Sequence, residues 1–206
     1  MRLTLTENPF NFFDDIYCIS AETRPAKRNK AAKQFQELGI LDRVEFFPAI
    51  LREPYWEGCR ESHKECIRRA KKKSANNVLI FEEDVFFIHK DLNALDAALN
   101  DLSKIDWNSF LLGGAVKEKV EHISDNLCLV DSYLTHAHAL NKNMFDTVLA
   151  FEGSNEYHDD GKRVWSRGNI DLFLKENTLK YMIKPIMAVQ PDKSTSILTK
   201  YYNKLL

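Results

Sequence analysis

The run Val78-Leu-Ile-Phe-Glu-Glu-Asp-Val85 constrains this chain more than any other stretch. Its four apolar residues of β character read as a strand covered on both faces, the kind found where helices pack above and below a parallel sheet. Three carboxylates follow directly, and a second apolar run, Val85-Phe-Phe-Ile88, follows them. Adjacent acids held between apolar runs repel one another and are costly to desolvate unless something neutralises them. A divalent cation is one remedy, and a merely solvated acidic loop is the alternative. Oxygen ligands favour magnesium, calcium or manganese, and one or two carboxylates leave coordination positions free for phosphate oxygens. Alternation along an extended segment places Asp84 and Glu82 on one side as metal ligands and turns Glu83 away.

Strands and helices alternate around that run. Ile16 to Ile19 reads as a strand, and Thr23 to Arg28 opens a helix with Pro25 in its first turn, expected to stop at Gly39. Val44 to Phe47 is a second strand, Arg60 to Lys73 a basic helix, and Asp91 to Leu102 a helix with leucines on one face. Ser109 to Leu112 reads as a strand ending at Gly113-Gly114, followed by strands at Leu127 to Val130 and Tyr133 to Leu140. Helices are expected at Asn143 to Phe151 and Ile170 to Glu176, and a late strand at Tyr181 to Val189. This order predicts an α/β sandwich with a mainly parallel sheet in one domain, its ligands bound beyond the carboxyl ends of the strands.

Composition narrows the partners. The 29 basic residues nearly cancel the 30 acidic ones, so no whole-molecule field draws the chain to nucleic acid or to an acidic membrane, and at most peripheral membrane contact is expected. With 44% hydrophobic residues, a packed core is expected rather than disorder. Cys18, Cys59, Cys66 and Cys128 show no CxxC pairing and fit reduced thiols. Met1 to Phe13 lacks the basic start and apolar run of a signal peptide, and no stretch reaches the roughly 20 apolar residues of a membrane span. A cytoplasmic location is the expectation.

Several separated pieces resemble glycosyltransferase family 25, the lipooligosaccharide galactosyltransferases and their relatives. They are Ile16 to Ser20 followed by Arg24 and Arg28, then Gly58-Cys59 with Ser62-His63, then the acidic strand end. Thr135-His136-Ala137, Asn169-Ile170-Asp171-Leu172, and Pro185, Gln190 and Ser194 continue the match in order. The chain departs from the family in having Glu83 where an aspartate is usual and His138 where an aromatic residue is usual. The resemblance implies a GT-A fold, which is a Rossmann-like α/β/α sandwich. It also implies inverting transfer of a hexose, galactose or glucose, from a UDP-sugar to a hydroxyl of a glycan or lipid-linked glycan, with manganese or magnesium as cofactor.

By the same resemblance Asp171 is the base that takes the acceptor proton; a partner for the helix dipole is its other reading. His136 is a third metal ligand or a hydrogen-bonded structural residue, and a shared strand face would set His138 beside it. Arg24, at a strand-to-helix loop, forks onto phosphate or is simply a surface arginine. Ser62 and His63, near a helix start, hold the nucleotide or buttress the acidic strand, with a capping serine as the plain alternative. Glu83 counts among the donor contacts, and Gly113 and Gly114 let the backbone approach a sugar or serve a tight turn. Glu152, Asp159 and Asp160 are reserve bases. The basic helix meets an anionic acceptor or is a solvated face. Two other functions remain open: a metal-dependent nucleotidyltransferase, although no Gly-rich phosphate loop follows the first strand, and a non-catalytic nucleotide-sugar-binding relative.

Overall fold

In the computed structural model, residues 7–133, 135–154, 156–159 and 164–191 are described, and the side chains of 117–119, 157–159, 164 and 165 are not. Asp160 and Ser194 lie outside the described residues, as does the side chain of Asp159.

The first half is built as the apolar pattern demands. Strands β1 (Asp15–Ser20), β2 (Val44–Pro48) and β3 (Asn77–Glu82) pair in parallel with β1 in the middle. Side chains alternate between two cores: Leu79 and Phe81 of β3 enter one, Val78 and Ile80 the other. Helix α1 (Pro25–Glu37) packs Ala31 and Phe35 on the first face, and α2 (Tyr55–Lys72) packs Cys66, Ile67 and Ala70 on the second. Helix α1 ends where expected. Gly39 has φ +69°, and the Ile40 N–H donates back to the Phe35 carbonyl at 2.9 Å, the bond that closes a Schellman turn.

Helix α2 begins five residues earlier than Arg60, directly after Pro54, and runs 18 residues. Its first turn escaped the periodicity because Gly58 sits there. A Cβ at Gly58 would lie 2.3 Å from the Ile50 carbonyl oxygen, so the loop after β2 passes directly over the helix. The basic side of α2 is largely paired within the protein: Arg69 with Glu45, Lys71 with Asp146, Lys73 with Asp15, and Lys64 with the Phe151 carbonyl at 2.8 Å.

Beyond β3 lie the two-residue β4 (Phe86–Phe87) and α3 (Leu92–Leu102), with Asp91 as N-cap. The sheet continues through β5 (Ser109–Leu111), β6 (Ala115–His122), β7 (Leu127–Tyr133), β8 (Ala137–Asn141) and β11 (Lys180–Ile183). Helices α4 (Phe145–Ala150) and α5 (Ile170–Asn177) join α2 on the second face, and the small pair β9 (Tyr157–Asp159) and β10 (Val164–Ser166) lies between them in sequence. The order in the main sheet is β2-β1-β3-β8-β5-β11-β7-β6. With helices on both faces it is the expected Rossmann-like α/β/α sandwich. Six of the eight strands point one way, but β8 and β7 run against them, so the second half mixes parallel and antiparallel pairs.

Two strand expectations are corrected. The strand expected over Tyr133 to Leu140 is divided, because β7 ends at Tyr133 and β8 begins at Ala137. The strand expected over Tyr181 to Val189 is divided as well, into β11 and the short β12 (Ala188–Val189). Pro185, with no N–H to donate to a ladder, lies in the gap.

Candidate functional site

A cleft of about 510 Å³ opens beyond the carboxyl ends of β1, β2 and β3, lined among others by Arg24, Tyr55, Cys59, Ser62, His63, Glu82, Glu83, Asp84 and Gln190. All three acids reach it, contrary to the alternation expected of an extended segment. Strand β3 ends at Glu82, and a turn closed by the Val85 N–H on the Glu82 carbonyl at 3.0 Å carries Glu83 and Asp84 round. The turn is gripped by the buried Gln34 of α1. Its amide donates to the Val85 carbonyl at 3.0 Å and its oxygen accepts from the Phe87 N–H at 2.8 Å. Nothing in the sequence marked this glutamine beyond its place on the inner side of α1.

Each carboxylate has its own polar neighbour. Glu83 accepts from the Ala21 N–H at 2.7 Å and from Arg24 at 3.5 Å, so it ties the β1–α1 loop to the strand end. Asp84 accepts from Lys27 at 3.2 Å and Gln190 at 3.1 Å, both on Oδ2; its Oδ1 is buried with no hydrogen-bond partner. Glu82 Oε1 lies 3.4 Å from His63 Nε2 and accepts from the Thr135 hydroxyl at 3.1 Å. Burial by itself would raise the Glu82 carboxyl, but His63, His136 and Thr135 outweigh it and hold the group down at about 2.

The Thr135 hydroxyl oxygen also lies 2.5 Å from Asp171 Oδ1, so its one proton is shared between the two carboxylates and joins β3 to the start of α5. Asn169 caps that helix by accepting from the Asp171 N–H at 2.9 Å. Burial first, and then the charge of Glu82, push the Asp171 carboxyl above its ordinary range. Asp171 does not itself line the cleft but stands one hydroxyl behind Glu82. The sequence had noted Thr135 only as part of a matching motif; its linking role appears with the fold.

The remaining candidates separate. Ser62 is not a cap. It lies inside α2, donating to the Gly58 carbonyl at 2.7 Å and accepting from the Ile50 N–H at 2.8 Å, and so fixes the rim of the cleft. His136 is buried, with Nε2 3.4 Å from the Ala188 carbonyl and Nδ1 without a partner; burial lowers its pKa. His138 does not share its setting. It belongs to β8, bonds the Thr135 carbonyl at 2.8 Å, sits with its ring centroid 5.1 Å from that of His63, and is pushed down to about 3 by burial. Gly113 and Gly114 lie away from the cleft lining: a Cβ would come within 1.8 Å of the Ala188 carbonyl oxygen at Gly113 and 2.3 Å of Ser132 Oγ at Gly114. Glu152 lines a separate cleft of about 430 Å³ with Arg167, Phe173 and Glu176. Among the described residues, the donor atoms of Cys59, His63 and Glu82 lie within 4.8 Å of one another. Cys59 was not singled out from the sequence except as part of Gly58-Cys59.

No family model matches the chain, and no curated protein matches it. Among solved structures it is similar in fold to A197 from STIV, at 10% identity and a TM-score of 0.52, over 87% of this chain and 86% of that one. Looser structural neighbours include a UDP-glucose pyrophosphorylase complexed with UDP-glucose, at 10% identity and a TM-score of 0.45 over 92% and 80% of the two chains. They also include a glycosyltransferase involved in the glycosylation of the major capsid of PBCV-1, at 13% identity and 0.39 over 65% and 63%. No helix among the described residues is long and apolar enough to cross a membrane.

Proposed function

We propose that this chain is an inverting, divalent-cation-dependent glycosyltransferase that moves a hexose, galactose or glucose, from a UDP-sugar to a hydroxyl of a glycan or lipid-linked glycan acceptor. The observation that carries the reading is the Glu82–Thr135–Asp171 connection. A carboxylate at the mouth of a strand-end cleft is joined through one hydroxyl to a second carboxylate whose pKa is raised. Ordered matches to family 25 motifs, which include all three residues, support it.

The donor set fits a hard cation. Asp84 offers a buried oxygen with no partner, and Glu82 stays ionised beside it on the same cleft. Asp84 and Glu82 would hold manganese or magnesium, with His136 a further candidate through its unpartnered Nδ1. The ion supplies Lewis-acid stabilisation of the departing diphosphate.

The chain's own residues do the rest. Arg24, on the cleft wall with one guanidinium nitrogen 3.5 Å from Glu83 and its side chain 61% exposed, keeps its other N–H groups for phosphate oxygens. Tyr55, 77% exposed at the rim, offers a ring face to a base. The acceptor oxygen attacks the anomeric carbon as the bond to UDP breaks, and because Asp171 stands behind the cleft wall the acceptor proton reaches it through Glu82 and the Thr135 hydroxyl. Thr135 has a single proton, so with both acids ionised it can satisfy only one of them. Once Asp171 is protonated, it donates to Thr135 and Thr135 donates to Glu82, so the connection is better satisfied after proton uptake than before.

Slow release of UDP from UDP-galactose or UDP-glucose should be seen with manganese and no acceptor, and Asp84→Asn should abolish it. If a panel of nucleotide sugars gave neither binding nor turnover with manganese present, the reading would be overturned. Pyrophosphate-dependent formation of UTP from the same sugars would assign nucleotidyl transfer instead.

A further inference from the structure

One group of side chains in the cleft does not suit a hard cation. Cys59 and His63 stand four residues apart on α2 and so share a face, and Glu82 meets them from the end of β3. Their donor atoms lie within 4.8 Å of one another. A tetrahedral ion with nitrogen, oxygen and sulfur bonds of about 2.0–2.3 Å needs its ligands roughly 3.4–3.7 Å apart. The His63 Nε2 to Glu82 Oε1 separation is 3.4 Å, so that edge already has the length such an ion needs.

His63 gives the second and independent sign. It is 0% exposed, yet neither ring nitrogen has a hydrogen-bond partner, since the contact with Glu82 has an ion-pair distance without hydrogen-bond geometry. A buried imidazole left unpartnered at both nitrogens is costly. A structural histidine would normally be anchored through at least one of them, as His138 is on the Thr135 carbonyl. All three residues also line the cleft.

We propose that Cys59, His63 and Glu82 form a second metal subsite, selective for a borderline ion such as Zn²⁺ over Mg²⁺ or Ca²⁺. Sulfur and imidazole ligands set that preference, because hard ions take oxygen. On binding, the Cys59 thiol gives its proton to solvent and a sulfur–metal bond replaces S–H. The site does not depend on the transferase reading. If that reading holds, the subsite withdraws Glu82 from the hard-cation site, so Zn²⁺ inhibits the manganese-dependent reaction rather than supporting it.

Cobalt(II) titrated into the full chain, stripped with a chelator, reads the site directly and without any nucleotide sugar. One equivalent should produce tetrahedral d–d absorption and a thiolate-to-cobalt charge-transfer band. Equimolar Zn²⁺ should displace both, and excess Mg²⁺ neither. Cys59→Ser should lose the charge-transfer band. His63→Gln should weaken binding by more than the roughly 10–100-fold typical of outer-shell changes. Glu82→Gln should shift the d–d bands while keeping the sulfur band, a readout that stands even if the serine variant fails to fold. Absence of saturable cobalt binding, or a sulfur band that survives Cys59→Ser and so comes from another thiol, overturns the assignment. Failure of the UDP-release test leaves it untouched.

Discussion

The two halves of the sheet are built on different terms. In β2, β1 and β3 the inward residues of both faces are almost wholly apolar, and polarity is confined to the strand ends, where Glu82, Glu83 and Asp84 each meet a basic partner. In β8, β5, β11 and β7 polar groups enter the interior itself: Ser109, Ser132, His138 and Lys180 are all buried. The first half thus holds the cleft on a hydrocarbon frame. The second brings titratable groups up behind it, with Asp171 at their head. Under the proposed function this becomes a division of labour: cation and phosphate contacts would come from the first half, and proton handling from the second.

The largest expected effect tests that division. Asp171→Asn should lower turnover by roughly 10²–10⁴-fold, the range for loss of a general base, while donor affinity is unchanged in a nucleotide-sugar titration. In the wild type the rate should fall as pH drops through the Asp171 pKa, which is raised, because only the carboxylate can take the proton. Parallel loss of donor binding in the variant would mean that the halves are not separable, and full activity would move the base to Glu152 or its neighbours.

Phe81→Ala probes the frame. The ring is 0% exposed and lies 5.0 Å from Phe35 and 5.8 Å from Phe87, centroid to centroid. Truncating it should cost about 3–5 kcal/mol in urea unfolding. A cost near 1 kcal/mol would show that the first half is not the tightly packed body described. Gly58→Ala should act more gently. A Cβ meeting the Ile50 carbonyl oxygen at 2.3 Å and the Arg52 N at 2.9 Å forces the rim loop off α2, an overpacking cost of about 1–3 kcal/mol. A thermal melt reads that cost, and because Ser62 holds the same loop, donor affinity should fall with it.

How far each half was legible follows from the same contrast. Val78 to Phe81 announces a two-sided strand because every residue is apolar, and the acids after it announce a site because the context makes them expensive. Pro25 and Gly39 bracket α1 through backbone chemistry that sequence exposes directly. The second half hides its strands. The sequence Ala-Val-Lys-Glu-Lys-Val-Glu-His of β6 is an edge strand with charges along it, and Lys180 opens β11 with a residue that normally marks a surface. Among site residues, Glu82 and Asp84 stood out as carboxylates in context, and Asp171 through the family resemblance alone. Thr135 and Gln34 did not, because their roles exist only once β8, α5 and α1 are placed round β3. Alternation misjudged Glu83 because the strand stops one residue before it.

The smallest expected effect, and the finest test of the second half, lies at Lys180. Its ammonium is 2% exposed and donates to the Ser132 carbonyl at 2.8 Å; burial pulls its pKa down to about 8, against the opposing pull of Asp171 and Asp131. An unfolded chain would hold that proton to about pH 10.4. Between about pH 8 and 10.4 the unfolded state therefore binds more protons at this site, so the Lys180 contribution to stability rises with pH by on the order of 1 kcal/mol per unit, opposite in sign to that of the buried thiols Cys18, Cys59, Cys66 and Cys128, whose raised pKa values make stability fall as pH rises. Lys180→Met removes the desolvation cost together with the attraction to Asp171, two effects of opposite sign, so stability at pH 7 should change by no more than about 1 kcal/mol. Stability should therefore fall more steeply with pH in the variant than in the wild type across that window, by on the order of 1 kcal/mol per unit in denaturation curves. Asp171, without the Lys180 charge, should titrate higher still and carry the acid limb of the rate profile upward. If the variant instead lost several kcal/mol at pH 7 and kept the wild-type slope, Lys180 would be a structural ion-pair partner, and the second half would resemble the first after all.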